Sequence, residues 1–290
     1  LVKGWFVRYG VTIVPTDESI RMAEFARAVE ERGFGGLWVP DHTHVPVRRD
    51  SPYPLGGELP EQYRRNLEPL VALGIAAAVT TTIRLGTGVL LPALRDPIVT
   101  AKALATLDQQ SGGRLAVGVG FGWNLEEVAD HGVDPRTRRW RTREHVLAMR
   151  ALWEREVAAF DGRHVRFPES WSWPKPVQRP LPVLVGGAPT ELVFEHVVDY
   201  AQGWVAVGGH GLADAVTRLR AQASAAGRSP NSLEIVLFTS AEPSHSKIDA
   251  LERAGVTEIA FAIPSHTSAE VLTSLDRMAE FVRARRQAHG

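Results

Sequence analysis

The sequence contains no cysteine. That absence excludes a disulfide framework, a thiol nucleophile, iron–sulfur clusters and cysteine-bound zinc, and it permits a reducing compartment, so the cytoplasm is the expected location. Nor is there a surplus of either charge, because 33 Lys and Arg balance 33 Asp and Glu. Without a bulk field, neither nucleic acid nor an anionic membrane is an expected partner, and any bound anion must be held by local groups. Long apolar runs are missing too. The longest, LVALGIAAAV at 70–79, lies between Glu68 and Arg84. It is about half of the ~20 residues that a spanning helix needs and reads as a buried helix. No basic-then-apolar leader opens the sequence, which begins at Leu1 without a methionine.

What is present is an ordinary globular balance, 44% hydrophobic and 23% charged over 290 residues, enough for one barrel or two small domains. Short β-rich runs alternate with helical patterns along the whole length. Strands are predicted over 8–14, 36–39, 83–91, 114–119, 182–185, 203–207, 233–238 and 258–263. Helices follow them near 20–32, 69–80, 98–110, 135–153, 190–200, 212–226, 247–254 and 268–285. Eight βα pairs point to a (β/α)8 TIM barrel, a single domain over 1–290 with insertions after strand two (41–66) and strand four (the Pro- and Trp-rich stretch 167–176). A doubly wound open sheet has the same periodicity, but no G-x-G-x-x-G opens the first helix.

In such a barrel chemistry sits where strands end. Asp41-His42 follows strand two and places a carboxylate beside an imidazole. The pair reads either as a proton-transfer couple or as a helix cap with a surface histidine. Thr87-Gly88-Val89 puts a glycine late in strand three, for a bulge or a close ligand approach. Gly118, Gly120 and Gly122 alternate before Trp123, an arrangement that suits a flat ring or phosphate near the backbone, or simply a tight turn with a core tryptophan. Gly186-Gly187-Ala188 precedes a helix start, where bare N–H groups form an anion site. His42 and His44 match an H-x-H metal pattern, but strand five ends in Gly186-Gly187 and supplies no ligand, so no metal is expected. No G-x-S-x-G elbow is present. Arg136, Arg138, Arg139, Arg141 and Arg143 make a solvated helix face or a site for an acidic cofactor tail. Trp171 and Trp173 make a lid or pack their insertion on the barrel wall.

Taken together these blocks resemble the bacterial luciferase-like monooxygenase superfamily, and within it the actinobacterial coenzyme F420-dependent oxidoreductases. The resemblance runs nearly end to end. It rests on LWVPDH at 37–42, PLVALGIAAAVTTTIRLGTGVLLPALRDP at 69–97 and ATLDQQSGGRLAVGVGFGWNLEE at 105–127. ALWE with FDGRHVRF within 151–167, PKPVQRPLPVLVGG at 174–187 and QGW at 202–204 extend it. It implies a homodimeric barrel that binds a flavin or deazaflavin at the carboxyl end of its strands. By resemblance Asp41 and His42 contact the ring, with His42 near the reacting face. Gly88-Val89 match a step that carries a non-prolyl cis peptide behind it. Phe121, Gly122 and Trp123 line the ring, and Gly186, Gly187 and Ala188 cradle the phosphate. Trp123 stands where the sugar-phosphate dehydrogenases of the family place a glutamate proton donor. Glu126 and Glu127 fall on the following helix.

The expected function is hydride transfer between coenzyme F420 and a small organic substrate, either an unsaturated or carbonyl-like acceptor or an alcohol donor, with His42 as the proton relay. The alternatives are a flavin mononucleotide (FMN) monooxygenase fed by a separate reductase, and a barrel that has lost its cofactor.

Overall fold

A computed structural model describes residues 7–289; residues 1–6 and 290, which the single-domain expectation also took in, lie outside the described residues. The strands and helices follow the predicted alternation. In chain order they are β1 (Arg8–Thr12), α1 (Met22–Glu31), β2 (Gly36–Val39), α2 (Pro69–Val79), β3 (Arg84–Leu90), α3 (Pro97–Gln110) and β4 (Leu115–Val119). Next come α4 (Leu125–Asp130), α5 (Arg138–Glu154), β5 (Val157–Asp161), β6 (Arg166–Trp171), β7 (Val183–Gly186), α6 (Glu191–Tyr200) and β8 (Gly203–Val207). The chain ends with α7 (Leu212–Ala225), β9 (Glu234–Thr239), α8 (His245–Arg253), β10 (Glu258–Ala262) and α9 (Ser268–His289).

Eight parallel strands close into a barrel in the order β1, β2, β3, β4, β7, β8, β9, β10, and β10 pairs back onto β1. Closure removes the open edges that a doubly wound sheet would leave. The helices start where the sequence supplies caps. The carboxylate of Asp96 accepts the amides of Ile98 and Val99 at 2.9 Å each, with Pro97 in the first turn. Glu68 accepts Val71 N–H at 2.7 Å ahead of α2. Each cap answers an amide that the helix itself cannot.

Side chains alternate between the barrel lumen and the helical shell. The lumen holds Trp38, Ala116, Leu184, Val205, Val236, Phe238 and Ala260, with Val89 partly buried at its rim. The indole of Trp38 needs the bare face of Gly86, where a Cβ would stand 2.1 Å from its ring. Its N–H donates to the buried Glu258 carboxylate at 2.6 Å, which Arg8 and Arg84 neutralise at 2.9 and 3.1 Å. This end of the lumen is therefore filled, leaving the carboxyl ends of the strands for a site.

Three local readings differ from the structure. Residues 157–171 form an antiparallel hairpin, β5 with β6, where the sequence suggested an irregular insertion beginning at 167. Phe160, Val165 and Phe167 turn inward while their neighbours face water, too few apolar positions to mark a strand pair. The helix expected over 135–153 is α5, but a separate short helix that the sequence did not announce, α4, capped by Asn124, precedes it across a turn at 132–137. The connection at 41–66 carries a 3-10 turn over Glu61–Arg65. Among the described residues no helix is long and apolar enough to cross a membrane.

Candidate active site at the carboxyl ends of the strands

His42 follows β2 by three residues and is 8% exposed. Both ring nitrogens are engaged. Nδ1 lies 2.7 Å from Oε2 of Glu127, and the indole Nε1–H of Trp123 donates to Nε2 at 3.2 Å. An indole N–H can only donate, so Nε2 carries the lone pair and Nδ1 carries the proton, which it donates to the carboxylate. The two contacts select one tautomer. Glu127 is 1% exposed, and burial alone would push its carboxyl up. Hydrogen bonds from His42 and from the amide and hydroxyl of Thr43 outweigh that, holding it below the ordinary carboxylate range.

The orienting acid is thus Glu127. This corrects the pairing suggested by the sequence, in which Asp41 stood beside the imidazole it would orient. Asp41, 3% exposed, gives both oxygens to other partners. Arg95 grips them through Nη2 at 2.7 Å and Nε at 3.0 Å, and the Leu91 amide donates at 2.9 Å. The carboxylate therefore ties the end of β2 to the segment after β3. Arg95 also reaches Glu68 at 2.9 Å. Sequence spacing misses Glu127 because 85 residues separate it from His42. One signal was available: Asn124-x-x-Glu127 has the spacing of a capping box. Asn124 Oδ1 accepts the Glu127 amide at 3.1 Å as a cap should, but the Glu127 carboxylate turns to the β2 loop.

Aromatic side chains wall the imidazole. Tyr63 and Trp123 meet its ring edge-on, each with centroids 5.5 Å away, and Tyr53 packs on Tyr63 and Trp123 at 5.4 and 6.0 Å. The two phenol oxygens stand 3.3 Å apart, and burial, with the neighbouring phenol, pushes the Tyr63 hydroxyl up. Both tyrosines come from the long 41–66 connection. Its course is held by α4: Glu126 accepts the amides of Asp50 and Ser51 at 2.8 and 3.3 Å, and Ser51 Oγ accepts that of Leu125 at 3.0 Å.

The peptide between Gly88 and Val89 is cis. Val89 projects into space that glycines vacate on adjoining strands. A Cβ at Gly120 would lie 2.4 Å from one Val89 methyl, and one at Gly186 2.6 Å from the other. At Gly118 it would meet the Thr87 carbonyl at 2.2 Å. These bare faces accommodate the protein's own β3, which answers the open choice between ligand approach and internal packing at Gly118 and Gly120. Gly122 has φ +79, the left-handed region that glycine tolerates, and its carbonyl accepts Arg138 Nε at 3.2 Å. Phe121 packs on His196 with centroids 4.8 Å apart, and the Arg139 guanidinium lies over its ring at 5.9 Å.

Across the mouth, Gly187 and Ala188 lead from β7 into α6, which Thr190 caps. Gly187 is half-buried and Ala188 exposed. Together the sites present an apolar floor of Val89 and Phe238, a wall carrying an imidazole, and backbone at a helix start where anions are favoured. A flat ring with an anionic tail fits that donor set. Of the other residues singled out, Trp171 and Trp173 are exposed. Arg136 pairs with Asp134, and Arg143 with Asp199.

Comparison with known proteins adds the following. The luciferase-like monooxygenase family model matches residues 4–290. An uncharacterized protein of Mycobacterium tuberculosis is 43% identical over 277 residues, covering 94% of this chain and 98% of that one. An F420-dependent glucose-6-phosphate dehydrogenase of Kineococcus radiotolerans is 33% identical over 196 residues, 66% of this chain and 53% of the relative. Among solved structures, a monooxygenase from Streptomyces bottropensis superposes with a TM-score of 0.77 at 22% identity, covering 97% of this chain and 100% of that one.

Proposed function

The chain belongs to the luciferase-like monooxygenase family, and from that premise we propose that it is an F420-dependent oxidoreductase moving a hydride between the deazaflavin and a small organic substrate. The observation that carries this reading is His42 at the end of its barrel strand, with its Nε2 lone pair defined by Trp123 and Glu127. The cofactor's identity is taken from relatives named for F420-dependent activity.

Val89 and Trp123 would hold the ring, and the exposed backbone at Ala188, ahead of α6, would take the phosphate; the Gly187 amide is turned to the Val205 carbonyl at 3.4 Å, and Phe121 packs on His196. When bound, coenzyme F420 supplies the carbon that gives or takes the hydride. His42 handles the accompanying proton. A substrate hydroxyl replaces the indole N–H at Nε2 and passes its proton there during oxidation; during reduction the imidazolium returns it. Glu127 fixes the ring and balances the positive charge while it lasts. Trp123 keeps bulk water from Nε2 but cannot serve as the acid, since an indole does not surrender its proton near neutral pH. That argues against a sugar phosphate as substrate, as do the aromatic walls of Tyr53, Tyr63 and Trp123, which favour an apolar molecule.

The test is a parallel titration with F420 and FMN, read by quenching of tryptophan emission. Saturable quenching by F420 at micromolar concentrations, with FMN much weaker, is expected. Tighter FMN binding, or no response to either, would overturn the proposal.

A further inference from the structure

The hydrogen bonds that hold His42 do not stop at Glu127. Glu127 Oε1 accepts the Thr43 amide at 2.9 Å and lies 3.3 Å from the Thr43 hydroxyl. That hydroxyl oxygen is 2.7 Å from Nε2 of His131 and 3.0 Å from Nδ1 of His44. Nε2 of His44 lies 3.1 Å from the Asp130 carboxylate, and the two imidazole rings stand 5.6 Å apart. Glu127 is buried, whereas Thr43, His44 and His131 are exposed. His131 also lines a cavity of about 350 Å³ on the outer side of the barrel, beside Arg141, His145 and His164. A sealed imidazole is thus linked to the surface through three contacts, and the link ends on exposed imidazoles, whose two nitrogens can accept a proton on one side and give one up on the other.

Holding Glu127 does not require this much. The Thr43 amide already accounts for Oε1, and exposed contacts such as that of His44 with Asp130 contribute little to stability. Trp123, Tyr63 and Tyr53 meanwhile close the other side of His42, so a proton received there needs a way out.

We propose that His42, Glu127, Thr43 and His131 form a proton route between the active site and water, with His44 as a branch. The route rests on the reading of His42 as the proton carrier of a hydride-transfer enzyme. When the O–H bond of a substrate hydroxyl breaks and N–H forms at Nε2, His42 becomes an imidazolium. Its Nδ1–H bond then breaks and an O–H bond forms at Glu127 Oε2. Rotation about the soft terminal torsion of the carboxyl presents that proton to Thr43 Oγ1. The hydroxyl passes its own proton to Nε2 of His131, and His131 releases one from Nδ1 to water. One proton leaves and no electron travels with it. Reduction runs the same bonds in reverse.

The experiment uses the full chain labelled with ¹⁵N-histidine and without coenzyme, and measures exchange of the His42 Nδ1 proton with water by NMR; each exchange begins with a proton reaching Nε2, so that His42 is an imidazolium, not an imidazolate, when Nδ1 gives its proton to Glu127. The signal is assigned by its loss in His42→Gln. Thr43→Val keeps the amide that holds Glu127 and removes only the hydroxyl; it is expected to slow exchange about tenfold or more, and Thr43→Ser to restore it. Replacing the exposed His44 and His131 together by glutamine is expected to slow exchange as Thr43→Val does, and it decides the matter if the valine variant does not fold. Exchange at the wild-type rate or faster in either variant would overturn the route. Because no coenzyme is present, failure of F420 to bind would overturn the functional reading and leave this measurement standing.

Discussion

Val89 and Gly186 are shaped to one another: a Cβ on Gly186 would come within 2.6 Å of Val89 Cγ1, on the side chain that floors the mouth of the barrel. Gly186→Ala should therefore cost about 1–3 kcal/mol through overpacking and shift Val89, weakening coenzyme binding without removing any polar contact. Urea unfolding with a parallel F420 titration checks this. An alanine variant of wild-type stability and affinity would show that Val89 yields freely.

Asp41 is expected to behave as a structural residue. Its side chain is 1% exposed and paired with Arg95, so Asp41→Ala leaves a guanidinium without its main partner. Loss of one member of a buried pair costs about 3–5 kcal/mol. The melting temperature should fall sharply in Asp41→Ala. A stable Asp41→Ala that only loses cofactor affinity would contradict the role assigned here.

His42→Ala should retain coenzyme binding while lowering kcat by about 10²–10⁴, the usual share of a positioned acid or base. Glu127→Gln acts one step removed. Both Glu127 oxygens accept, one from His42 and one from Thr43. An amide can satisfy only one, and its NH2 meets the other donor head-on, at a cost of about 1–3 kcal/mol. The ¹⁵N shifts of His42 should move toward the opposite tautomer or a mixture. Unchanged shifts would mean that Glu127 does not select the tautomer.

Glu30 gives a pH-dependent signature remote from the site. Its partial burial would raise the carboxyl pKa, but the amides of Thr82, Thr81 and Ile83 and the Thr82 hydroxyl prevail and bring it down to about 2. A carboxyl depressed from 4.5 contributes stability that is complete above that value and is lost as pH falls toward 2. Since the group is half-buried and still partly screened by water, the scale is about 1 kcal/mol. Glu30→Gln should lower the urea midpoint at pH 7, with the difference shrinking at pH 3. A penalty that is equal at both would assign the effect to packing.

How much of this could be read beforehand depended on the range of the interactions. Strands such as Gly36–Val39 and Leu115–Val119 are buried on both faces, so their apolar runs announce them. The hairpin Val157–Asp161 with Arg166–Trp171 lies half in water and carries Pro168, which hides it. Helix Leu125–Asp130 spans six residues, too short for a periodic signal. At the site, the strand-end position singled out His42, and Tyr63 of the 41–66 connection meets its ring. The acid that orients it was not recognised, because adjacency in sequence favoured Asp41.

Sequence alone determined the alternation of strand and helix and the residues at the ends of the strands, because periodicity acts over a few residues. Tertiary structure decided which carboxylate serves the imidazole. Closing the ring brings Arg95 to Asp41 and the first turn of α4 to His42. A charged group takes the partner that best repays its burial, and here that partner is remote in the chain.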